Sequence, residues 1–356
     1  MLLRLSDFGG NPTGFTLASD IIVDEAEAPP NLIIRDDHSG FDGMGFYRLA
    51  LDPFTRERIE FGILMDHPAF RYQRILYPLL AWSVSGGDRV GAAWALIGIN
   101  VAGLAAIAWL GVALAQRAGR AGWWGLLFAA NPAFAIALGV DTAEIVAGVG
   151  LLAALLLLRD GRYRWATVAL TAGMFARETI LIVAVGGLAA WAFKRGRETP
   201  VWVWLVPGGI YLGWQVFLGW WWGGFALGQG AGLDIGLPFA GIAEGVSEWI
   251  PPAEALDVLH LILLAAIVGL TIMAIRATIG AEQPAHESAG LLLASALIAI
   301  TAGSIWFHHW GFLRATSELY MLSVLAVLSR PAAPRHRLVL APAICISIWL
   351  NMLLYP

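Results

Sequence analysis

Residues 91–116 read GAAWALIGINVAGLAAIAWLGVALAQ, a long apolar stretch without one charged side chain. A helix needs about 20 apolar residues to cross a bilayer core, so this stretch predicts a transmembrane helix. Further apolar runs follow at about 122–139, 143–158, 165–176, 179–193, 200–220, 257–276, 289–306, 312–329 and 338–354, which makes ten with the first. Several are shorter than a full span. They are expected to tilt, to extend into their flanks or to sit buried against neighbours. The fold class read from this pattern is all-α: a polytopic transmembrane helix bundle of about ten spanning helices.

Composition agrees. Hydrophobic residues make up 58% of the 356 and charged ones 13%, where a soluble domain carries nearer a quarter. The net charge of −4 predicts no nucleic-acid partner. Cys345 is the one cysteine, which excludes an intrachain disulfide and a thiolate metal cluster. The 17 tryptophans exceed what a core needs; membrane interfaces and sugar-binding surfaces both use them.

Upstream of the runs the character changes. Residues 1–70 hold 12 of the 26 acids, and nothing there is long enough to span. The expected organisation is an N-terminal extracytoplasmic segment, 1–88, with short interfacial helices, followed by a bundle, 89–356, with an outer loop at 221–256. Residues Ile75–Gly86 give about 18 Å of helix, short of the roughly 30 Å core. They are read as interfacial or half-inserted, a full span being the alternative.

Charge fixes the expected orientation. After residue 116, twelve basic residues fall in alternate breaks on one side, from Arg117 to Arg337, and two, Arg177 and Arg314, on the other. The positive-inside rule makes the first side cytoplasmic. Each exception has an acid at hand: Glu178 beside Arg177, and Glu318 one helical turn after Arg314.

The candidate site residues lie on the outer side. Asp42, in HSGFDGMGFYRLALDPF (His38–Phe54), is a carboxylate on a glycine-flanked segment at the membrane surface, suited to a general base; a helix N-cap is the competing reading. Arg71 and Arg74, in DHPAFRYQRILYPLLAW, share a helical face with Tyr72 and Tyr77 near, which suits phosphate capture or interface anchoring. Asp141 and Glu144, in DTAE, share a face that can hold sugar hydroxyls or a divalent cation, or cap a helix. Arg177 and Glu178 read as a phosphate or sugar contact, or as a structural ion pair. His308 and His309 precede Arg314 in WFHHWGFLRATSELY; with Asp36, Asp37 and His38 they offer oxygen and nitrogen ligands. No spacing is a recognised metal signature, so no metal site is assigned and a divalent cation stays open. Trp220–Trp222 suit stacking on a sugar or prenyl chain, or a belt position.

Together, FDGMGFYRLALDPF, RYQRILYPLLAW some twenty residues later, DTAE, ARETILI and FLRATSE resemble the GT-C superfamily of bacterial polyprenyl-phosphate-sugar-dependent glycosyltransferases, the mannosyltransferase-like branch, over roughly residues 8–330. The resemblance implies a helix bundle in a bacterial plasma membrane with an acidic first outer loop. Asp42 matches the position of the catalytic base, and Arg71, Arg74, Arg177 and Arg314 match basic positions near the donor phosphate. The implied partners are a polyprenyl-phosphate-linked sugar, a cell-surface glycan or lipid acceptor, and membrane lipids. Met44 stands where a polar residue is usual, and Gly45 where an aromatic is. The family pattern also expects a spanning helix ahead of the acidic loop, where this sequence begins with FGGNPTGF almost at once. A glycolipid flippase and a non-catalytic subunit of a glycan-assembly complex are the alternatives.

Overall fold

The computed structural model describes residues 2–36, 40–229, 235–252, 255–279, 283–307 and 311–330. The apolar run at 338–354, Asp37 and His38 lie outside the described residues. The described residues are mostly helical. The N-terminal segment carries α1 (Leu2–Asp7), α2 (Asp42–Leu51), α3 (Pro68–Tyr72) and α4 (Leu76–Ser85). The bundle continues with α5 (Arg89–Arg117), α6 (Leu126–Ala129), α7 (Pro132–Val140), α8 (Glu144–Arg159), α9 (Tyr163–Ala176), α10 (Leu181–Ala192) and α11 (Trp202–Trp222). Short helices α12 (Ala226–Gln229) and α13 (Ala240–Glu248) follow. The chain then forms α14 (Ala255–Thr278), α15 (Ala285–Ala299), α16 (Gly303–Phe307), α17 (Gly311–Ala315) and α18 (Ser317–Leu328). Described strand pairing is confined to two-residue ladders: β1 (Ala18–Ser19) parallel to β2 (Ile34–Arg35), and β3 (Ile59–Glu60) antiparallel to β4 (Ile63–Leu64).

Each apolar run among the described residues becomes helix, yet fewer than ten helices have the length of a span. Arg89–Arg117 and Asp257–Thr278 are long and apolar enough to cross a membrane. The pair Gly122–Ala129 and Pro132–Val140, bent by 52°, counts as a third if it is one broken span. The bend has a local cause: Asn131 accepts from the Ala133 N–H at 3.1 Å and caps a helix that opens on Pro132. α11 has the length, at 21 residues, but not the apolarity, and the remaining described helices are shorter. For example α10 has 12 residues and α18 has 12, about 18 Å each. The 312–329 run is split at Thr316 into α17 and α18.

The core is a contiguous apolar cluster in which α8 packs along α9 and α5, α10 along α15, and α14 along α18. Helices close on small residues, as is usual in membrane bundles. A Cβ at Gly150 would sit 2.7 Å from the Gly173 Cα, so α8 and α9 cross there with their backbones in contact.

α4 has ten residues, about 15 Å, and packs on α2 and α5. The aromatic anchoring expected of Tyr72 and Tyr77 is corrected. Both are core residues, the Tyr72 hydroxyl donating to the Thr55 carbonyl at 3.0 Å and the Tyr77 hydroxyl to the Leu96 carbonyl at 3.0 Å.

α2 decides where Asp42 lies. A Cβ at Gly43 would meet the Val140 carbonyl oxygen at 2.3 Å, so the first turn of α2 rests on the end of α7. At Gly45 the same test finds Arg71 Cδ at 3.6 Å, an ordinary contact. Gly43→Ala is therefore expected to destabilise the protein by about 1–3 kcal/mol through overpacking, whereas Gly45→Ala is neutral or stabilising by up to ~1 kcal/mol through helix propensity. Unfolding midpoints of the two variants in detergent check this.

Candidate functional site

Asp42 is the first residue of α2 and follows the N-cap position. The capping reading is thereby corrected: Phe41 holds the cap position and the Asp42 carboxylate turns to arginines instead. Arg71, on α3, donates through Nη1 to Oδ1. Arg314, on α17, donates through Nη2 to Oδ2 at 2.7 Å. Arg74, just past α3, brings Nη1 to 3.6 Å from Oδ2. One carboxylate is thus shared by guanidinium groups drawn from positions 71, 74 and 314.

Every one of those arginines is held by a second acid. Asp66 takes Arg71 in a fork, Nε to Oδ1 at 3.0 Å and Nη2 to Oδ2 at 3.1 Å. Glu178 takes Arg74 likewise, at 2.8 and 2.5 Å. Glu144, at the start of α8, accepts from Arg314 Nε at 2.5 Å. A further pair closes the cluster: Arg177 Nη1 lies 3.2 Å from Glu318 Oε1 and donates to the Arg314 carbonyl at 2.7 Å. Bidentate guanidinium–carboxylate geometry makes these strong, oriented contacts. The side chains about Asp42 are 13–20% exposed, while Arg177 and Glu318 are 8% and 5% exposed.

Of the residues singled out in the sequence, Asp42, Arg71, Arg74, Glu144, Arg177, Glu178 and Arg314 come together here. The expected pairings are corrected. Glu178 serves Arg74 rather than its neighbour Arg177, and Glu318 serves Arg177 rather than Arg314. The reason is geometric. Arg177 is the extended residue that ends α9 (φ −158°) and so points away from Glu178, which opens the next turn. Asp141 joins no ion pair of the cluster. It is fully buried, ends α7 in the left-handed region (φ 48°) and has no described hydrogen-bond partner on either carboxylate oxygen. Burial pushes the Asp141 carboxyl well above its ordinary range, against the weaker pull of Arg4. Asp36 is exposed. His308 and His309 lie outside the described residues. Among the described residues no group of three or more His, Cys, Asp or Glu is placed to hold a metal ion.

Asp66 completes the cluster as a partner not anticipated, and Glu318, expected beside Arg314, pairs with Arg177. Asp66 stands five residues before Arg71, at the mouth of a short helix opening on Pro68; an acid ahead of such a helix is a weak signal on its own. Equally absent from the sequence reading is an apolar groove of about 800 Å³ between α4, α9 and α11. Tyr72, Leu76, Thr171, Phe175, Trp214 and Trp221 are among its walls. Tyr72 follows Arg71, and Phe175 precedes Arg177 by two residues, so the groove and the charge cluster draw on neighbouring positions of the chain, although no charged residue lines the groove. Gln73 lies between Tyr72 and Arg74 in the chain, its carbonyl accepting from Tyr211 and Gln215 at 3.4 Å each. At the rim, Arg56 lies 3.6 Å from the centre of the Trp221 ring.

Electrostatics at Asp42 are one-sided. Burial would raise its pKa, but Arg314, Arg71 and Arg74 outweigh burial and hold the carboxyl well below the usual range. Asp66 is lowered in the same way, burial being overcome by Arg71. The site therefore presents ionised carboxylates locked to guanidiniums.

Comparison with protein-family models, with curated proteins and with solved structures found no match to this chain.

Two outcomes follow from the charges. A carboxyl depressed in the folded state adds stability above its unfolded pKa of about 3.9 and loses it as pH falls. The stability difference between wild type and Asp42→Asn is thus expected to be constant from neutral pH to about pH 5 and to shrink toward pH 3, read from unfolding midpoints in detergent. Glu318→Gln leaves Arg177 charged and buried, and is expected to cost about 3–5 kcal/mol. The double variant Arg177→Met with Glu318→Leu recovers most of that loss in the same measurement.

Proposed function

We propose that the chain is a multi-spanning membrane glycosyltransferase that moves a sugar from a polyprenyl-phosphate donor to a glycan or lipid acceptor. The observation that supports this reading most is a cluster of four arginines, with an apolar groove of about 800 Å³ whose walls include Tyr72 and Phe175, close in sequence to those arginines. A lipid phosphate divides its chemistry the same way: a long apolar chain that gains by leaving water and an anionic head that guanidiniums bind. Shorter helices complete the bundle of about ten spans by tilting and by extending into their flanks.

Orientation follows from the far end of the bundle. α8 carries Glu144 at one end and Arg159 at the other, some 24 Å apart. Near Arg159 lie the Arg117–Asp160 pair at 2.7 Å and the Arg159–Glu287 pair at 2.7 Å. With basic residues gathered there, the positive-inside rule makes that end cytoplasmic and the arginine cluster extracytoplasmic.

The reaction is an inverting displacement. The acceptor hydroxyl oxygen bonds to the anomeric carbon, and the bond from that carbon to the phosphate oxygen breaks. The phosphate departs with the bonding electron pair, and the acceptor proton passes to the Asp42 carboxylate. Arg71, Arg74 and Arg314 hold the charge that develops on the leaving phosphate. Glu144, Arg177 and Glu178 keep these groups oriented, and Asp42 is the base.

In a purified system with a labelled polyprenyl-phosphate sugar, Asp42→Asn is expected to lower the transfer rate by about 10²–10⁴-fold. Equal rates for the two proteins would remove Asp42 as the base. Movement of labelled lipid across a proteoliposome bilayer without any transfer would favour a flippase.

A further inference from the structure

Three features of the Asp42 cluster are unusual for a structural ion pair. First, one carboxylate is shared three ways: Arg71, Arg74 and Arg314 all approach the two oxygens of Asp42. Second, each arginine keeps another carboxylate on its far edge, Asp66, Glu178 and Glu144 respectively. Taking Asp42 away leaves all three guanidiniums charged, oriented and still paired. Third, Asp66 is itself anchored, accepting from the His67 backbone N–H at 2.9 Å. The centre of the cluster is thus a preorganised three-sided seat for an oxyanion, with an amino-acid side chain sitting in it.

A phosphate group suits that seat better than a carboxylate. It offers non-bridging oxygens in a tetrahedral arrangement, and as a monoester it carries close to two negative charges near neutral pH. Guanidinium forks match it. Phosphate and carboxylate cannot share the seat, because like charges that close repel by several kcal/mol.

We infer that Asp42 is a built-in competitor for this seat: the phosphate of a lipid phosphate displaces its carboxylate from Arg71, Arg74 and Arg314, and Asp42 is released toward the acceptor only when that seat is filled. The inference rests on the reading of this cluster as a lipid-phosphate site. It adds an order to the reaction, with donor before acceptor, and it keeps the resting protein latched. Asp66, Glu178 and Glu144 become positioning residues, acting through the arginines they hold.

Binding separates this idea from catalysis. The probes are dodecyl phosphate, inorganic phosphate and dodecanol, titrated into detergent-solubilised protein by calorimetry. Asp42→Asn and Asp42→Ser are both expected to bind dodecyl phosphate roughly tenfold more tightly than wild type, about 1.4 kcal/mol. Glu178→Gln, which loosens Arg74, is expected to bind it several-fold more weakly. Inorganic phosphate should show the same ranking at lower affinity if the seat alone reads the anion. Dodecanol should show no ranking, since the groove is unchanged. Equal or weaker dodecyl phosphate binding by both Asp42 variants would overturn the inference, as would binding indifferent to Arg74→Gln. Tightening without sugar transfer from any polyprenyl-phosphate donor would keep the displacement and sink the transferase reading. Transfer by wild type without tightening in the variants would do the reverse.

Discussion

The Asp42 carboxylate, shared among Arg71, Arg74 and Arg314, ties together parts of the chain that lie far apart in sequence. α2 supplies the acid, the α3 turn two of the cations, and α17 the third from 272 positions away. Isolated ions at such burial would be expelled toward water or neutralised. Paired, they become a constraint: α2, α3, α8, α9 and α17 must arrive together or each leaves a charge without a partner. The apolar helices supply the free energy of burial. The charge cluster chooses which of their ends meet.

A small residue makes that meeting possible. Gly43 allows α2 to rest on the Val140 carbonyl, which a Cβ there would meet at 2.3 Å. Met44, the next residue, is 3% exposed and packs in the core beside the acid.

Much of the site was legible because charge is scarce in this chain. With 13% charged residues, the few found between apolar runs stand out, and most of those singled out converge. Their partners were harder to read. Glu318 sits one turn after Arg314, where helical spacing predicts a pair, but the helix breaks at Thr316 and Glu318 turns to Arg177 instead. Asp66 gains its meaning only once α3 has folded against α2. The groove was illegible for a different reason. Its walls come from α4, α9 and α11, and apolar residues facing a groove look in sequence like those facing lipid. The run pattern overstated span lengths as well, since Asn131-Pro132 and Thr316 interrupt apolar stretches without adding a charge.

A double-mutant cycle between Asp42 and Arg314 tests the central claim most directly. Unfolding free energies would be measured for wild type, Asp42→Asn, Arg314→Gln and the double variant. If the two side chains share one charge cluster, the double variant loses less than the sum of the single losses, with a coupling of about 1–3 kcal/mol. Losses that add to within ~0.5 kcal/mol would mean that the two residues do not meet, and the account built on their meeting would be wrong.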